Sequence, residues 1–390
     1  MADISKLEQQ ANLLFDNVAG WENSTLQRIG KRIGKYGKMS LADVKSINNI
    51  AVVKQDMDAI TKELAKVTGY NISQIEQMYS ELLEEQHLAN QPLYDYRGKT
   101  FVPFAENREL QAIARAYAKT TGETMINLAK TKALCVLGAN GKPIGMQKYY
   151  TDVLDKAVMQ VTTGATDFHT AMRDSIIELG GSGVRVDYGG GVTRRLDTVV
   201  RQNLLWGAKQ ASTEYNTMVG EELGCDGVEV DAHSNPRESH MFMQGQQYSL
   251  HGEKTINGVV YEDFKESGAE DALQDYGCLH YRTPIILGIS EPRFSKEQLA
   301  QIEADNKKQY TVGNLEGNKY FFSQKMRLLE SATREQKTIR DLARSSGDKA
   351  LVKQCNEKIK AYRQKYDEIA EATGLYQETK RMSVPRKPKT

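Results

Sequence analysis

Through most of the first 180 residues, apolar side chains recur every three or four positions, which is the period of one face of a helix. The clearest stripe is Val53, Met57, Ile60, Leu64 and Val67, with Ser40 and Asp43 ahead of it in a capping-box pattern. A second stripe follows at Ile72, Ile75, Met78 and Leu82. Further amphipathic stretches cover about 105–137 and 147–179, the last with Phe168, Met172, Ile176 and Leu179 on one face. Asn90-Gln-Pro-Leu93 and the Asp95-Tyr-Arg-Gly98 turn interrupt the pattern. Residues 1–180 therefore read as a helical N-terminal region broken near 90–98.

The period then changes. Gly180, Gly181, Gly183, Gly189, Gly190 and Gly191 bracket Val184-Arg-Val-Asp-Tyr188, a short strand between two flexible turns. A long helix is predicted over 192–223, ended by Gly224, and Val228-Glu-Val-Asp-Ala232 alternates as a second strand. The stretch 234–293 is turn-rich, with Tyr248, Tyr261, Tyr276 and Tyr281. Together these segments predict a compact α+β domain over 181–293.

From Ser295 the helical period returns. Val352, Cys355, Ile359, Tyr362, Tyr366 and Ile369 form a stripe, Phe322 to Leu342 carries a looser one, and Ser345-Ser-Gly-Asp348 separates them. That pattern predicts a helical hairpin within 294–379. Residues 380–390 hold five basic side chains and no acid, the composition of a flexible tail. The predicted fold class is α+β: a mainly helical chain with a small central α+β domain and a C-terminal helical hairpin.

Charge narrows the function classes. Lys and Arg total 52 against 51 Asp and Glu, so the protein does not coat nucleic acid along its length and any DNA contact must be local. Two clusters could supply one, or could meet an acidic protein surface: Arg28, Lys31, Arg32 and Lys35 (with Lys38), and Lys380, Arg381, Arg386, Lys387 and Lys389 in the tail. For the first cluster a solvated helix face is the default reading. The four cysteines are scattered without a CxxC pair, which fits a reducing compartment. The N-terminus lacks the apolar core of a signal peptide, and no apolar run reaches the roughly 18 residues of a membrane span. A cytoplasmic origin without a membrane partner is expected.

Standard catalytic signatures (P-loop, HExxH, EF-hand loop, GxSxG elbow) do not occur, and the glycines at 180–191 do not have GxGxxG spacing. No catalytic residue and no cofactor are therefore expected. Two polar constellations still carry chemistry. Along the second strand Glu229, Asp231 and His233 share one face, and Val228, Val230 and Ala232 the other. Asn235 is predicted to cap a helix, with Pro236 at its first position and Glu238 closing a capping box. On that helix Arg237, His240 and Gln244 face one side, and Gly245 ends it. Glu229, Asp231, His233 and His240 could build the metal or acid–base site of a hydrolase or nuclease. The commoner alternative is the polar face of an edge strand, hydrogen-bonded to a short helix. Cys278 and His280 point the same way on an extended segment and could ligate zinc, with His240 as a third ligand. Two local ligands make a weak metal signal, and a buried structural Cys beside a hydrogen-bonded His is the favoured reading.

The segment Val184 to Pro292 resembles the minor capsid protein family of phages that infect Gram-positive bacteria, relatives of the Mu-F-like minor head proteins. The resemblance rests on linked patterns in fixed order. Val184-Arg-Val-Asp-Tyr188 precedes Arg195-Leu-Asp-Thr-Val-Val-Arg201. Asp226-Gly-Val-Glu-Val-Asp-Ala-His233 and Pro236-Arg-Glu-Ser-His240 lead to Gln244-Gly245 and Tyr248-Ser-Leu250. Tyr276-Gly-Cys-Leu-His280 then leads to Thr283-Pro284 and Gly288-Ile-Ser-Glu-Pro292. Phe321, Arg327, Glu330, Arg334 and Lys337 resemble the family's helical extension, so the likeness covers 184–345. It implies a structural minor head protein at the portal vertex of the virion, assembled in the host cytoplasm, which assists head assembly or DNA packaging and delivery. Its implied partners are the portal protein, other capsid proteins and the packaged DNA. Asp231, His233, Pro236, Arg237, His240, Gln244, Gly245, Cys278, His280, Pro284, Gly288 and Pro292 are then a structural motif. The readings set against this are a metal-dependent hydrolase or nuclease, and a DNA-binding protein ejected with the genome.

Overall fold

A computed structural model describes residues 4–36, 49–130, 134–138, 140–163, 168–190, 192–233, 235–275, 277–278 and 280–385. The Ser40/Asp43 capping pattern, Lys38, Gly191, Tyr276, Arg386, Lys387, Lys389 and the side chains of Phe168 and Met172 lie outside the described residues. The chain is mainly helical α+β with small antiparallel sheets. It forms two compact units. One holds Met1–Ala11, Ile72–Thr121 and Gln202–Gln324, the other Asn12–Asn71, Gly122–Arg201 and Lys325–Thr390. The stretch 181–293 does not stand alone in this grouping, because 202–293 clusters with 72–121 and 294–324.

In chain order the described helices before the first described strand are α1 (Ile4–Tyr36), α2 (Asn49–Arg97) and α3 (Arg108–Lys130). The expected interruption at Asn90-Gln-Pro-Leu93 is absent, since α2 runs through Pro92 to Arg97. Proline costs an interior helix a hydrogen bond, but packing on both sides of Pro92 overrides that cost. Asn90 donates to Tyr215 Oη (3.1 Å) and Asn216 Oδ1 (3.2 Å), and Tyr94 Oη donates to Glu222 Oε2 (3.1 Å).

The second unit contains a four-stranded antiparallel sheet, of which the sequence reading predicted only the strand within Val184–Tyr188. Its strands are β1 (Leu134–Leu137), β2 (Pro143–Gly145), β3 (Arg185–Asp187) and β4 (Thr193–Arg195), in the order β2-β1-β3-β4. Helices α4 (Met146–Thr163) and α5 (Phe168–Ser182) pack on β1. Gly180 and Gly181 thus end a helix instead of forming a flexible turn, and a Cβ on Gly180 would stand 2.7 Å from Ile339 Cγ1. Buried polar groups fix neighbouring helices: Trp21 Nε1 donates to Ile60 O (3.0 Å) and Tyr150 Oη to Asp56 Oδ2 (2.7 Å).

The first unit carries α6 (Leu196–Leu223, from Gln202 on), β5 (Gly227–Val230), a 3-10 turn (Glu238–Met243) and β6 (Gln247–Ser249). β7 (Lys254–Ile256), β8 (Val259–Tyr261), α7 (Ala269–Gln274), β9 (Arg282–Ile285) and α8 (Lys296–Lys307) follow. The main sheet has the order β6-β5-β9, so β5 is its central strand and not an edge. Val228 pairs with Tyr248 on one side and Pro284 on the other. Asp231 N donates to Tyr281 O (3.0 Å) in this register, so the hydrogen-bonded pairs fall at Asp231/Tyr281 and Glu229/Thr283. Pro284 then turns its missing N–H to the outer edge of β9, where a strand tolerates proline. Val228, Val230, Met243, Tyr248, Phe264, Leu273 and Cys278 form the core against this sheet.

Past α8 the chain makes a β-hairpin, β10 (Gln309–Val312) and β11 (Leu315–Asn318), where only helix was expected. The expected helical hairpin follows as α9 (Lys319–Ser346) and α10 (Lys349–Thr373), the latter capped by Asp348, which accepts from Leu351 N (2.8 Å). Of the predicted stripe, Cys355, Ile359, Tyr366 and Ile369 are buried, and Val352 and Tyr362 half-buried. The described part of the basic tail is docked. Thr379–Met382 forms a 3-10 turn, Met382 is buried, and Lys337 Nζ donates to Met382 O (2.6 Å).

Candidate functional site

The motif residues converge where the 3-10 turn meets the segment between α7 and β9. The predicted α-helix after Asn235 is a 3-10 turn that begins at Glu238, with Arg237 as N-cap and no side-chain cap. An N-cap residue has extended backbone, whereas Asn235 takes φ +58, in the left-handed region that Asn tolerates better than most residues. It therefore cannot serve as the predicted cap. Its N–H instead donates to Asn306 Oδ1 (3.1 Å). Gly245 sits at φ +65, and a Cβ there would stand 2.4 Å from Leu299 Cδ2, so both conformation and space demand glycine.

His240, Cys278 and His280 are all buried, and one ligand atom from each lies within 4.8 Å of the others. Cys278 Sγ is 3.5 Å from His280 Nδ1, and His280 Nε2 is 3.3 Å from Gln244 Oε1. Gln244 Oε1 also accepts from His233 N (2.9 Å). His240 Nε2 lies 3.0 Å from Asp275 Oδ2, which also faces Arg237 Nη1 at 3.8 Å. The His233 ring lies against that of His280, with centroids 4.2 Å apart. Burial, reinforced by His233, His240 and Lys209, pushes His280 down to about 2, so its imidazole is neutral.

The carboxylates of the expected acid–base face do not join this group. Glu229 is buried and accepts from Gln247 Nε2 (2.8 Å) and Arg293 N (3.2 Å); burial raises its carboxyl against the pull of those partners. Asp231 lies past the strand end and accepts from Tyr281 N (2.7 Å), with its carboxyl pushed by burial up to about 7. Pro236 and Pro284 are buried, Gly288 lies in a turn at φ +74, and Pro292 is exposed. Among the described residues, His240, Cys278 and His280 form the group of three suited to a metal.

Two participants escaped the sequence reading. Asp275 follows the short α7, and nothing in its spacing ties it to His240. Lys209, on α6, is buried, donates to the carbonyls of Leu273 and Cys278, and is lowered by desolvation. With Trp206, Thr213, His280 and Arg282 it lines a cleft of about 390 Å³. A single cation on a mostly apolar helix face gives no sign of its burial.

In the first basic cluster, Arg28 pairs with Glu63 and Arg32 with Asp56 (3.0 Å), while Lys31 and Lys35 are exposed. Lys380 is exposed, and Arg381 faces Glu378 (3.8 Å) and Glu330 (4.0 Å).

No curated protein and no solved structure matches the chain. A family model described as Phage minor capsid protein 2 matches residues 3–369, so the likeness extends well beyond 184–345 and takes in the N-terminal helices. With nearly its whole length matched, the chain belongs to the phage minor capsid protein 2 family.

Proposed function

We propose that this capsid protein works at the portal vertex of the phage head, where it assists head assembly or the packaging and delivery of DNA. The observation that carries this reading is the family match over residues 3–369, which makes the chain a structural component of the virion built beside other head proteins. Its near balance of 52 basic and 51 acidic residues suits protein contacts better than a coat along DNA. A hydrolase or nuclease reading loses support from geometry. The Glu229 and Asp231 carboxylates accept protein N–H groups.

Cross-linking in purified heads tests the placement: linked peptides should join this chain to the portal protein. Links spread evenly over the major shell, or heads that package normally without the protein, would refute it. Incubated with DNA and magnesium or zinc, the purified protein should show no turnover. Cleavage that disappears in a folded His240→Ala variant would restore the enzyme reading. DNA retention at low salt that is lost in a Lys31→Ala/Lys35→Ala double variant would favour the DNA-binding alternative.

A further inference from the structure

We propose that His240, Cys278 and His280 bind one zinc ion, which clamps the 3-10 turn to the segment joining α7 and β9. The inference stands apart from the portal reading, since a capsid protein could fold around a metal wherever it sits in the head. Three observations carry it.

First, the donor set is a thiol and two imidazoles drawn from two separate segments, with only 5%, 2% and 1% exposure for Cys278, His240 and His280. Sulfur and imidazole donors select zinc over magnesium or calcium, which take oxygen. Second, the spacing of Cys278 and His280 suits a tetrahedral ion. Bonds of about 2.3 Å to sulfur and about 2.0–2.1 Å to nitrogen place those two atoms about 3.6 Å apart, and Cys278 Sγ lies 3.5 Å from His280 Nδ1.

Third, hydrogen bonds behind each ring set the tautomer that a ligand needs. Gln244 Oε1 is an acceptor, so His280 donates to it from Nε2 and carries its lone pair on Nδ1, facing the Cys278 sulfur. The Asp275 carboxylate likewise accepts a hydrogen bond from His240 Nε2–H, which leaves the other ring nitrogen with its lone pair. Oxygen acceptors of this kind stand behind most metal-bound histidines. Water from the cleft that His280 lines completes the fourth position, and the same cleft gives the ion its entry path.

The full-length protein, purified without chelator, should contain one equivalent of zinc by elemental analysis. After chelation and loading with cobalt it should show a sulfur-to-cobalt charge-transfer band and the intense visible bands of a tetrahedral site. Cys278→Ser should abolish the charge-transfer band, whereas Cys225→Ser should retain it. Asp275→Asn should weaken zinc binding by about 10- to 100-fold, the usual effect of removing an outer partner. Should Cys278→Ser fail to fold, the wild-type cobalt spectrum decides. Substoichiometric zinc together with no charge-transfer band would overturn the proposal and leave a thiol–imidazole hydrogen bond.

Discussion

At the scale of single residues, Asp231 is a side chain through which pH reaches the fold. Burial holds its carboxyl near 7, although the Tyr281 N–H and the charges of Arg293 and Lys209 pull the other way. In the unfolded chain an aspartate titrates near about 3.9. The folded state therefore binds the proton more tightly. The resulting stabilisation is complete below the unfolded value and is lost as pH rises through about 7. The Asp231 contribution to the denaturant midpoint should fall as pH rises from about 4 to about 7. Asp231→Asn, which keeps an acceptor for Tyr281 N, should flatten that fall. Parallel wild-type and variant profiles would show that Asp231 is not the group responsible. His87 makes the complementary point. It is buried, with Nδ1 3.0 Å from Tyr215 Oη and Nε2 2.7 Å from Val102 O, so it serves the packing of α2 on α6.

At the scale of elements, close approach outweighs intrinsic propensity. Gly207 lies inside α6, where alanine would ordinarily improve a helix by about 1 kcal/mol. A Cβ there would stand 2.2 Å from Tyr79 Oη and 2.3 Å from Thr121 Oγ1, groups that hydrogen-bond to each other at 3.1 Å. Gly207→Ala is therefore expected to lower the melting temperature despite the propensity gain; an unchanged or higher value would mean that the helices separate without cost. The hairpin of α9 and α10 makes a second case. Ile359 is buried in its seam, and Tyr366 Oη donates to Glu330 Oε1 across it (2.9 Å). Ile359→Asp should cost several kcal/mol, because it places an unpaired charge in an apolar contact. Ile359→Val should cost only about 0.5–1.5 kcal/mol. If the Asp variant melts like the wild type, that seam is not what holds the hairpin.

At the scale of the whole molecule, the first unit draws its core from separated stretches of chain. Tyr79 Oη donates to Leu204 O (2.9 Å), and Ser212 Oγ donates to Gln86 Oε1 (2.8 Å), while His87 and Asn90 meet Tyr215 and Asn216. A fragment of 184–293 would leave this face of α6 uncovered, with its buried hydrogen-bonding groups unpaired. It should be unstable or aggregate, whereas a fragment that also holds 72–121 and runs to 324, joined by a linker, should be markedly better folded. Comparable proton-exchange protection of α6 in both fragments would contradict this. In virions, removal of 1–180 should abolish incorporation through misfolding as well as through lost contacts, which soluble expression of the truncated chain can distinguish.

Local periodicity by itself determined the long helices, the 185–187 and 227–230 strands and the C-terminal hairpin. Each depends on a repeat of buried positions that a short window contains. The linked motifs from Val184 to Pro292 likewise made the family legible before any coordinates. Tertiary structure alone decided what those positions face. It made β5 a central strand, because β9 pairs with its outer side from more than fifty residues away. It carried α2 through Pro92, because α6 supplies polar partners there. It also set Asp275 against the buried His240, and Gln244 behind His280. Spacing along the chain fixes only which side of an element a residue occupies. Which group stands opposite depends on long-range packing, and a single sequence does not encode that in any short-range pattern.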